Sequence, residues 1–461
     1  MASSLADVAP RLQAKAAAFV RDNRLPGAAV GVVHGDDLAW AAGLGFADVA
    51  ERRAPERLTM YRIASITKTF TGTAIMQLRD RGLLHLDDPA VAHIPELRAA
   101  QSPFGPIETV TIRRMLSHDS GLMSEPPGTD WRSPIYEAVA ARNLERAAEI
   151  GTKIPPSTHK KYSNLAYQLL GEIVARISGS PYTDYVREAI LEPLGMTASG
   201  FEPLSETLST RRATGYSGRF LSDDLDVAAA PPTVWAEGGL WSCVDDLARW
   251  LSFQFREDGG LREGAQVLAG PTLKEMHRAR YISNDDWTEA WCISWYAVRR
   301  NDVIWVQHSG GLHGFISNVC FDPKEKVGAI VLLNGVADAP SLAMDLATIA
   351  RDAARAAAPA IEPPPSLPDA YRPLLGIYLN RDYGALVRLE WRDGKMTFVD
   401  PEDPAWRPTL ARTDDPNVFL IEPGQRESGE LAVFRRLADG RVASVLLAAS
   451  TLVRLDRVVE P

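Results

Sequence analysis

The sequence has little cysteine and no arrangement typical of a zinc site. Its three cysteines, Cys243, Cys292 and Cys320, are odd in number and far apart. A disulfide framework is therefore not expected, and we interpret them as buried thiols. The closest histidine pair, His308 and His313, has no nearby third ligand of the usual kind. We expect the protein to need neither a metal nor another cofactor.

Long apolar runs and blocks of basic charge are also missing. No stretch is apolar for long enough to span a bilayer. The N-terminus has no basic segment and no apolar run before Arg11 and Lys15, so it is not typical of a signal peptide. The net charge of −9 is spread along the chain, which argues against nucleic acid or an anionic membrane surface as a partner. These absences predict a cytoplasmic protein.

What is present is the composition of a large globular protein. Hydrophobic residues make up 46% and charged residues 24% of the chain, so neither disorder nor a fibrous repeat is favoured. A chain of 461 residues suggests more than one domain. The stiff, proline-rich segment 359–368 lacks core residues and is typical of a linker. We predict domains at 1–358 and 370–461, joined by a linker at 359–369.

The first domain is predicted to be α+β. Residues 8–24 carry apolar positions at helical spacing, and strand-like segments follow at Ala28–Val33 and Leu38–Phe46. The middle of the chain, roughly 65–260, is mainly helical. Strand patterns return in three later segments, Trp305–Gln307, Gly314–Phe321 and Val327–Asn334. This order predicts an antiparallel sheet shared by the two ends of the domain, flanked by helices and interrupted by a helical insertion.

The last domain is predicted to be all-β, because short alternating runs are separated by Asp-Gly, Pro-Gly and similar turns. Six such runs are Ala385–Trp391, Lys395–Val399, Val418–Ile421, Glu430–Phe434, Val442–Leu447 and Leu452–Leu455. Regular short strands of this kind favour a small antiparallel barrel that is lipocalin-like in outline.

The most informative motif is a serine and a lysine three residues apart. Ser65 and Lys68 lie at the predicted start of a buried helix, where this spacing puts both side chains on one face. A serine hydroxyl is a poor nucleophile until a base takes its proton, and a lysine can be that base if burial lowers its pKa. The helix N-terminus also favours negative charge developing at Ser65. Because such pairs often arise by chance, this motif alone does not establish a site.

Two further motifs follow in order. Tyr162 and Asn164 form a Tyr-x-Asn just before a helical run, and His308 to Gly311 form a polar and glycine-rich segment on a predicted edge strand. With Ser65 and Lys68, these motifs resemble those of penicillin-binding proteins and class C β-lactamases. The related class A enzymes carry S-x-x-K, S-D-N and K-T-G. The resemblance implies a β-lactamase/transpeptidase-like catalytic domain.

The resemblance covers about residues 8–350 and includes two supporting segments, Met115–Leu122 and Glu237–Ala248, which are typical of the esterase and peptidase branches. The first of these contains His118 and Asp119. Adjacent residues cannot face one another as a Ser/His/Asp triad requires, so we expect a structural role for His118.

The resemblance also implies a role for each matching residue. Ser65 is the expected nucleophile, Lys68 its base, Tyr162 the proton shuttle to the leaving group and Asn164 a hydrogen-bonding neighbour. The backbone N–H groups of Ser65 and Gly311 are expected to form the oxyanion hole, because a glycine-rich strand lets a substrate carbonyl approach closely.

His308 departs from the lactamase pattern, because it replaces the lysine of K-T-G. An imidazole attracts a substrate carboxylate more weakly than a permanent cation does, so β-lactamase activity is not favoured. Packing within the strand is the alternative role for His308. Glu237 is a candidate for binding an incoming ammonium group, with a solvated loop glutamate as an equal alternative. Arg454, in the last predicted strand, is a candidate anchor for a substrate carboxylate, although most such arginines are surface residues.

Five tryptophans are candidates for an apolar cleft wall, although each one singly is better explained as core. They are Trp235, Trp241, Trp287, Trp291 and Trp295.

A cytoplasmic chain with His308 and a lipocalin-like C-terminal barrel is similar to the penicillin-binding-protein-type thioesterases. These enzymes take a peptidyl thioester from a nonribosomal peptide synthetase and cyclise it head to tail. The resemblance implies a peptidyl donor ending in a D-residue or glycine, delivered as a thioester on a carrier protein. D-stereospecific aminopeptidases, self-compartmentalising serine peptidases and esterase or β-lactamase-like hydrolases remain alternatives. A binding module without activity is disfavoured, because the full set of catalytic residues is present.

Overall fold

The computed structural model describes residues 5–130, 142–217, 235–256, 267–357, 365–380, 384–403 and 405–455. They belong to two compact units, Met1–Ala358 and Pro359–Pro461. Residues 359–364 of the predicted linker lie outside the described residues. Within these ranges, none of the helices combines the length and apolar character that crossing a membrane requires.

The first unit is built on an antiparallel sheet of eight strands. The strands of this unit are β1 (Gly27–His34), β2 (Asp37–Gly45), β3 (Tyr61–Arg62), β4 (Trp241–Ser242), β5 (Tyr281–Ile282), β6 (Glu289–Trp291), β7 (Tyr296–Arg300), β8 (Val303–Leu312), β9 (Phe315–Asp322) and β10 (Val327–Leu333). The sheet has the order β2-β1-β10-β9-β8-β7-β6-β5, and β3 pairs with β4 separately. Ala28 of β1 lies opposite Leu333 of β10, so the two ends of the unit share one sheet as predicted.

Helices cover both faces of this sheet. They are α1 (Leu5–Asp22), α2 (Thr67–Asp80), α3 (Ala90–His93), α4 (Ile112–Leu116), α5 (Asn164–Ser178), α6 (Tyr182–Val186), α7 (Glu206–Ser209), α8 (Trp235–Gly238), α9 (Val244–Gln254), α10 (Gly270–His277) and α11 (Ala339–Ala357). Successive residues of a strand point to opposite faces. Accordingly, Val331 packs into a core with α1 and α11, while Ile330 packs into the larger core that includes α2 and α9.

The predicted edge position of the His308 strand is wrong. β8 is the fifth of eight strands, because three short strands between residues 281 and 300 extend the sheet beyond it. However, β7 begins at Tyr296, which lies opposite Gln307. Residues 308–312 therefore continue past the start of β7, and within the described part of the chain their ladder register is with β9 alone.

The second unit is a closed antiparallel barrel, as predicted, with its eight strands in sequence order. The strands are β11 (Gly376–Asn380), β12 (Leu386–Arg392), β13 (Lys395–Val399), β14 (Thr409–Arg412), β15 (Val418–Ile421), β16 (Leu431–Arg436), β17 (Val442–Leu447) and β18 (Ser450–Arg454). Its core is filled by alternate side chains such as Tyr378, Phe398 and Phe434. Sequence patterns had not indicated β11 and β14, which are only five and four residues long.

Candidate active site

The nucleophile candidate Ser65 lies in a 3-10 turn, Ala64–Ile66, that leads directly into α2. Ala64 has a φ of 47°, in the left-handed region that residues with a Cβ rarely adopt. Strained backbone of this kind is often found at functional sites. Residues 67–78 of α2 are all buried, so the helix holds this turn rigidly within the core.

Lys68 is fully buried and has three hydrogen-bond partners among the described residues. Its Nζ lies 3.1 Å from Ser65 Oγ, 2.8 Å from Asn164 Oδ1 and 2.6 Å from the main-chain oxygen of Glu237. The structure thus brings the predicted serine, lysine and asparagine together.

Two of these three partners can only accept. A main-chain carbonyl has no proton, and Asn164 donates from Nδ2 to Glu125 Oε1 at 2.7 Å, which turns its own Oδ1 toward the lysine. A neutral amine has two N–H groups and one lone pair. When those two N–H groups bond to Asn164 and Glu237, the lone pair is left for the hydroxyl proton of Ser65. This geometry is compatible with the predicted role of Lys68 as a base, which stays a prediction.

Burial shifts the pKa values of Lys68 and Tyr162 in opposite directions. Burial lowers the pKa of Lys68 to about 7, although the negative charges of Glu237 and Glu125 oppose the shift. Burial raises the pKa of Tyr162 above its ordinary value, although a hydrogen bond with Ser65 opposes it. Near neutral pH the amine is available as a base and the phenol retains its proton. Such opposite shifts are how one site separates a base from an acid.

Glu237 takes part in the hydrogen-bond network of Lys68 through its main-chain oxygen. Its side chain accepts a hydrogen bond of 2.5 Å from Gln168 Nε2, and burial raises its pKa to about 6. It is only 4% exposed, so the interpretation as a solvated loop residue is wrong. Its negative charge raises the pKa of Lys68. Binding of a substrate ammonium group by Glu237 stays a prediction.

The glycine-rich end of β8 packs closely against the nucleophile turn. A Cβ added to Gly310 would lie 2.1 Å from the main-chain oxygen of Ile63, so only glycine fits there. Ser317 on the neighbouring strand donates to the same oxygen at 2.8 Å. Gly311 and Ser65 both line one cleft. The oxyanion hole formed by their N–H groups stays a prediction.

His308 presents a neutral imidazole in this part of the site. Its Nδ1 lies 2.7 Å from the main-chain oxygen of Ser309, and a carbonyl only accepts, so Nδ1 carries the proton. The ring is 1% exposed, and burial, followed by the charge of Lys68, lowers its pKa to about 3. Its Nε2 is an acceptor with no hydrogen-bond partner within the described residues.

The cleft has a volume of about 320 Å³. Ser65, Tyr162, His308 and Gly311 all line it. Lys68 and Asn164 lie behind this surface, where Lys68 bonds to both Ser65 and Asn164.

The remaining wall combines aromatic rings with one ion pair. Trp291 and Tyr296 line the cleft, as do Lys160 and Glu289, whose charged groups are 2.8 Å apart. Trp291 is thus the one candidate tryptophan among the lining residues. Trp241 and Trp295 are buried, whereas Trp235 and Trp287 are 52% and 69% exposed.

Arg454 lies in β18 of the second unit. Its guanidinium donates to the main-chain oxygen of Leu375 at 2.9 Å and also to that of Pro373. These bonds hold the side chain against the backbone of its own barrel. Its predicted role as a carboxylate anchor stays a prediction.

The Ser-His-Asp sequence at 117–119 does not form a triad. Asp119 accepts hydrogen bonds from Ser117 Oγ at 2.8 Å and Ser157 Oγ at 2.9 Å. The imidazole of His118 instead accepts from the main-chain N–H of Ser163. This agrees with the expectation that the motif is not a catalytic triad.

Sequence reasoning missed Glu125, Lys160 and Gly310. Glu125 meets Asn164 across 39 residues of sequence, and Gly310 meets Ile63 across a still larger separation. No spacing rule indicates such contacts. Lys160 carried a signal, because it is a basic residue two positions before the predicted proton shuttle Tyr162.

The family model described as Beta-lactamase matches residues 12–354. The chain belongs to the β-lactamase family. It is similar to Protein flp of Staphylococcus aureus (strain MRSA252), with 29% identity over 323 residues, 68% of this chain and 60% of that protein. It is also similar to Beta-lactamase-like protein 2 of Dictyostelium discoideum, with 27% identity over 325 residues, 68% of this chain and 56% of that protein. The aligned part thus spans about 60% of the length of these relatives.

The fold of this β-lactamase family member is also found among solved structures. The octameric penicillin-binding protein homologue from Pyrococcus abyssi matches with a TM-score of 0.61 and 23% identity, over 96% of this chain and 99% of that chain. The family match confirms the β-lactamase-like assignment that the motifs predicted.

Proposed function

We propose that the protein is a trans-acting thioesterase that forms an acyl-enzyme on Ser65 and macrocyclises nonribosomal peptidyl thioesters. The donor ends in a D-residue or glycine and arrives on a carrier protein, as the resemblance implies. Two features of the site together support this most strongly. The amine of Lys68 lies at Ser65, and a neutral His308 lines the same cleft as that serine.

Acylation uses the Lys68 network. The amine takes the proton of Ser65, and Oγ attacks the thioester carbonyl. The C–S bond then breaks, and the thiolate leaves as a thiol with a proton relayed from the Lys68 ammonium through the phenol of Tyr162. One thioester bond is exchanged for one ester bond, and the site returns to its starting protonation state.

Deacylation reverses this proton path. The N-terminal amine of the bound peptide attacks the ester, its surplus proton passes through the same groups, and Ser65 regains its hydroxyl hydrogen. An amide forms and the ester bond breaks, which releases a macrolactam. The aromatic faces of Trp291 and Tyr296 along the cleft favour binding of a peptidyl chain.

The charges in the cleft support a thioester donor over a β-lactam. His308 is neutral where the lactamase pattern has a permanent cation, and Lys160 is already paired with Glu289. A β-lactam antibiotic carries a carboxylate that needs a cation, whereas the reacting end of a peptidyl thioester has no carboxylate. The substrate matches the charge that the cleft offers.

The test uses a synthetic peptide with a free N-terminus and a C-terminal D-residue activated as a small-thiol thioester. We expect thiol release and a product that has lost one water relative to the linear acid, as measured by mass spectrometry. The same peptide with an acetylated N-terminus is the matched control and yields no macrolactam. Ser65→Ala is expected to release no thiol above background.

Linear acid as the only product from the free peptide would contradict the cyclase proposal. Release of an N-terminal D-residue from a peptide amide would instead support the D-stereospecific aminopeptidase. Both outcomes keep the acyl-enzyme on Ser65 and change only the groups that donate and accept the acyl chain.

A further inference from the structure

His118 lies fully buried directly beneath the ring of Tyr162. The two rings are stacked with centroids 4.2 Å apart and planes inclined by 27°. His118 has a φ of 57°, and it follows the helix α4 after one residue. Its backbone turn presents both the imidazole and the carbonyl to the segment that carries the tyrosine.

Two hydrogen bonds hold that segment on either side of Tyr162. The main-chain oxygen of His118 accepts from the N–H of Lys161 at 2.7 Å, and its Nδ1 accepts from the N–H of Ser163 at 3.1 Å. One residue therefore fixes the backbone before the tyrosine, the backbone after it and one face of its ring.

The imidazole must be neutral to make these contacts. A main-chain N–H only donates, so Nδ1 carries a lone pair and the ring proton is on Nε2. Burial, followed by the positive charge of Lys68, lowers the pKa of His118 well below its ordinary value. The edge of Trp291 meets the ring at 4.7 Å between centroids and an angle of 88°. The imidazole is thus enclosed by groups that favour its uncharged form.

We infer that His118 is a positioning residue that holds the Tyr162 phenol at Ser65. The inference rests on the acyl transfer role of Tyr162 proposed above. The main-chain oxygen and Nδ1 of His118 bond to backbone N–H groups rather than to Ser65 or Lys68, so it acts through the tyrosine. Displacing a proton donor by about 1 Å can slow the reaction roughly a hundredfold. Loss of the contacts between His118 and the Tyr162 segment should therefore lower the rate measurably.

Leaving groups of different basicity separate this role from a merely structural one. A 4-nitrophenyl ester expels a phenolate that needs no proton, whereas the ethyl ester of the same acid expels an alkoxide that needs one. The experiment measures kcat/KM for both esters in the unaltered protein, in His118→Asn and in His118→Phe. Asn keeps an acceptor for Ser163 and tolerates the left-handed backbone, while Phe keeps the stacked ring.

The expected result is a selective loss. Each variant is predicted to lose roughly tenfold to a hundredfold on the ethyl ester and less than about threefold on the nitrophenyl ester. His277→Asn is the matched control, because His277 is also buried and contacts an aromatic ring, that of Trp295. It should leave the ratio of the two esters unchanged even if the melting temperature falls. The two His118 variants remove different contacts, so either folded variant is sufficient.

A double variant tests whether the effect passes through the tyrosine. In Tyr162→Phe, adding His118→Asn should cause less than about twofold further loss on the ethyl ester, because coupled residues are not additive. Equal losses on both esters, or additive losses in the double variant, would overturn the inference. Simple esters are used so that failure of macrocyclisation leaves this test intact. Absence of ester turnover in the unaltered protein would also overturn it.

Discussion

The helical and strand sides of the cleft differ in how their polar groups are used. On the helical side, Lys68 is bonded to Ser65, Asn164 and Glu237, and Asn164 is bonded in turn to Glu125. On the strand side, Nε2 of His308 is buried without a hydrogen-bond partner within the described residues. We infer that the bonded groups around Lys68 hold the nucleophile and its base, while the unused acceptor of His308 is left for a substrate. On this proposal, the helical side sets the reaction type and the strand side sets the choice of substrate.

The largest effect is expected from removing the amine of Lys68 on the helical side of the cleft. Lys68→Met keeps similar volume but removes the base, so we predict a loss of roughly a thousandfold or more in kcat/KM with any ester or thioester. Steady-state kinetics measure this loss, and a melting curve checks the fold. A loss below about tenfold would show that another group deprotonates Ser65.

The strand side should instead change which substrate is preferred. His308→Lys introduces the cation of the lactamase pattern. We therefore expect the kcat/KM for an ester whose leaving group is D-lactate to rise roughly tenfold relative to that for an ester whose leaving group is methyl D-lactate, which has no carboxylate. His308→Gln is the neutral control and should show no such gain. If His308→Lys and His308→Gln showed the same preference between the two esters, the proposal that residue 308 selects the charge of the substrate would be contradicted.

A smaller loss is expected at Glu125, which sets the orientation of the Asn164 amide. In Glu125→Gln the neighbouring amide can also donate, so Asn164 is free to turn its NH₂ toward Lys68 and the lone pair is no longer directed at Ser65. We predict roughly tenfold lower kcat/KM. Glu145→Gln, an exposed glutamate, is the control. Unchanged activity in Glu125→Gln would contradict the proposal that Glu125 orients the Asn164 amide.

The smallest effect concerns pH dependence. The charge of Glu237 raises the pKa of Lys68, so Glu237→Gln lowers it, and the rising acid limb of kcat/KM should move to lower pH by roughly one unit. A pH–rate profile measures this shift. Gln can still accept from Gln168, which makes the change of charge the main difference. A shift of the acid limb toward higher pH would contradict the proposal that the charge of Glu237 raises the pKa of Lys68.

The spacing of Ser65 and Lys68 made their contact predictable from the sequence, whereas contacts between distant segments could not be predicted. Ser65 and Lys68 share a helix face because they are three residues apart, and this relation is visible in the sequence. Glu125, Gly310 and His118 reach the site only through tertiary packing of separate segments. No periodicity in one sequence carries that information.

The strands show the same contrast. Long alternating or continuous runs such as those of β1 and β10 were found from the pattern alone. Three strands beyond β8 were not predicted, namely β5, β6 and β7, which have only two, three and five residues. Without them β8 was given an edge position that it does not have in the sheet. Short strands depend on their neighbours for stability more than on their own sequence.

The pH dependence of Ser65 labelling by a fluorophosphonate tests the central claim most directly. With intact-mass detection, we predict one adduct that is absent in Ser65→Ala, formed at a rate that rises with pH through an apparent pKa near 7, because Lys68 must be neutral. This pKa belongs to the interacting pair of Lys68 and Glu237. A rate that rises only near pH 10, the ordinary range for lysine, or an adduct that persists in Ser65→Ala, would contradict the account.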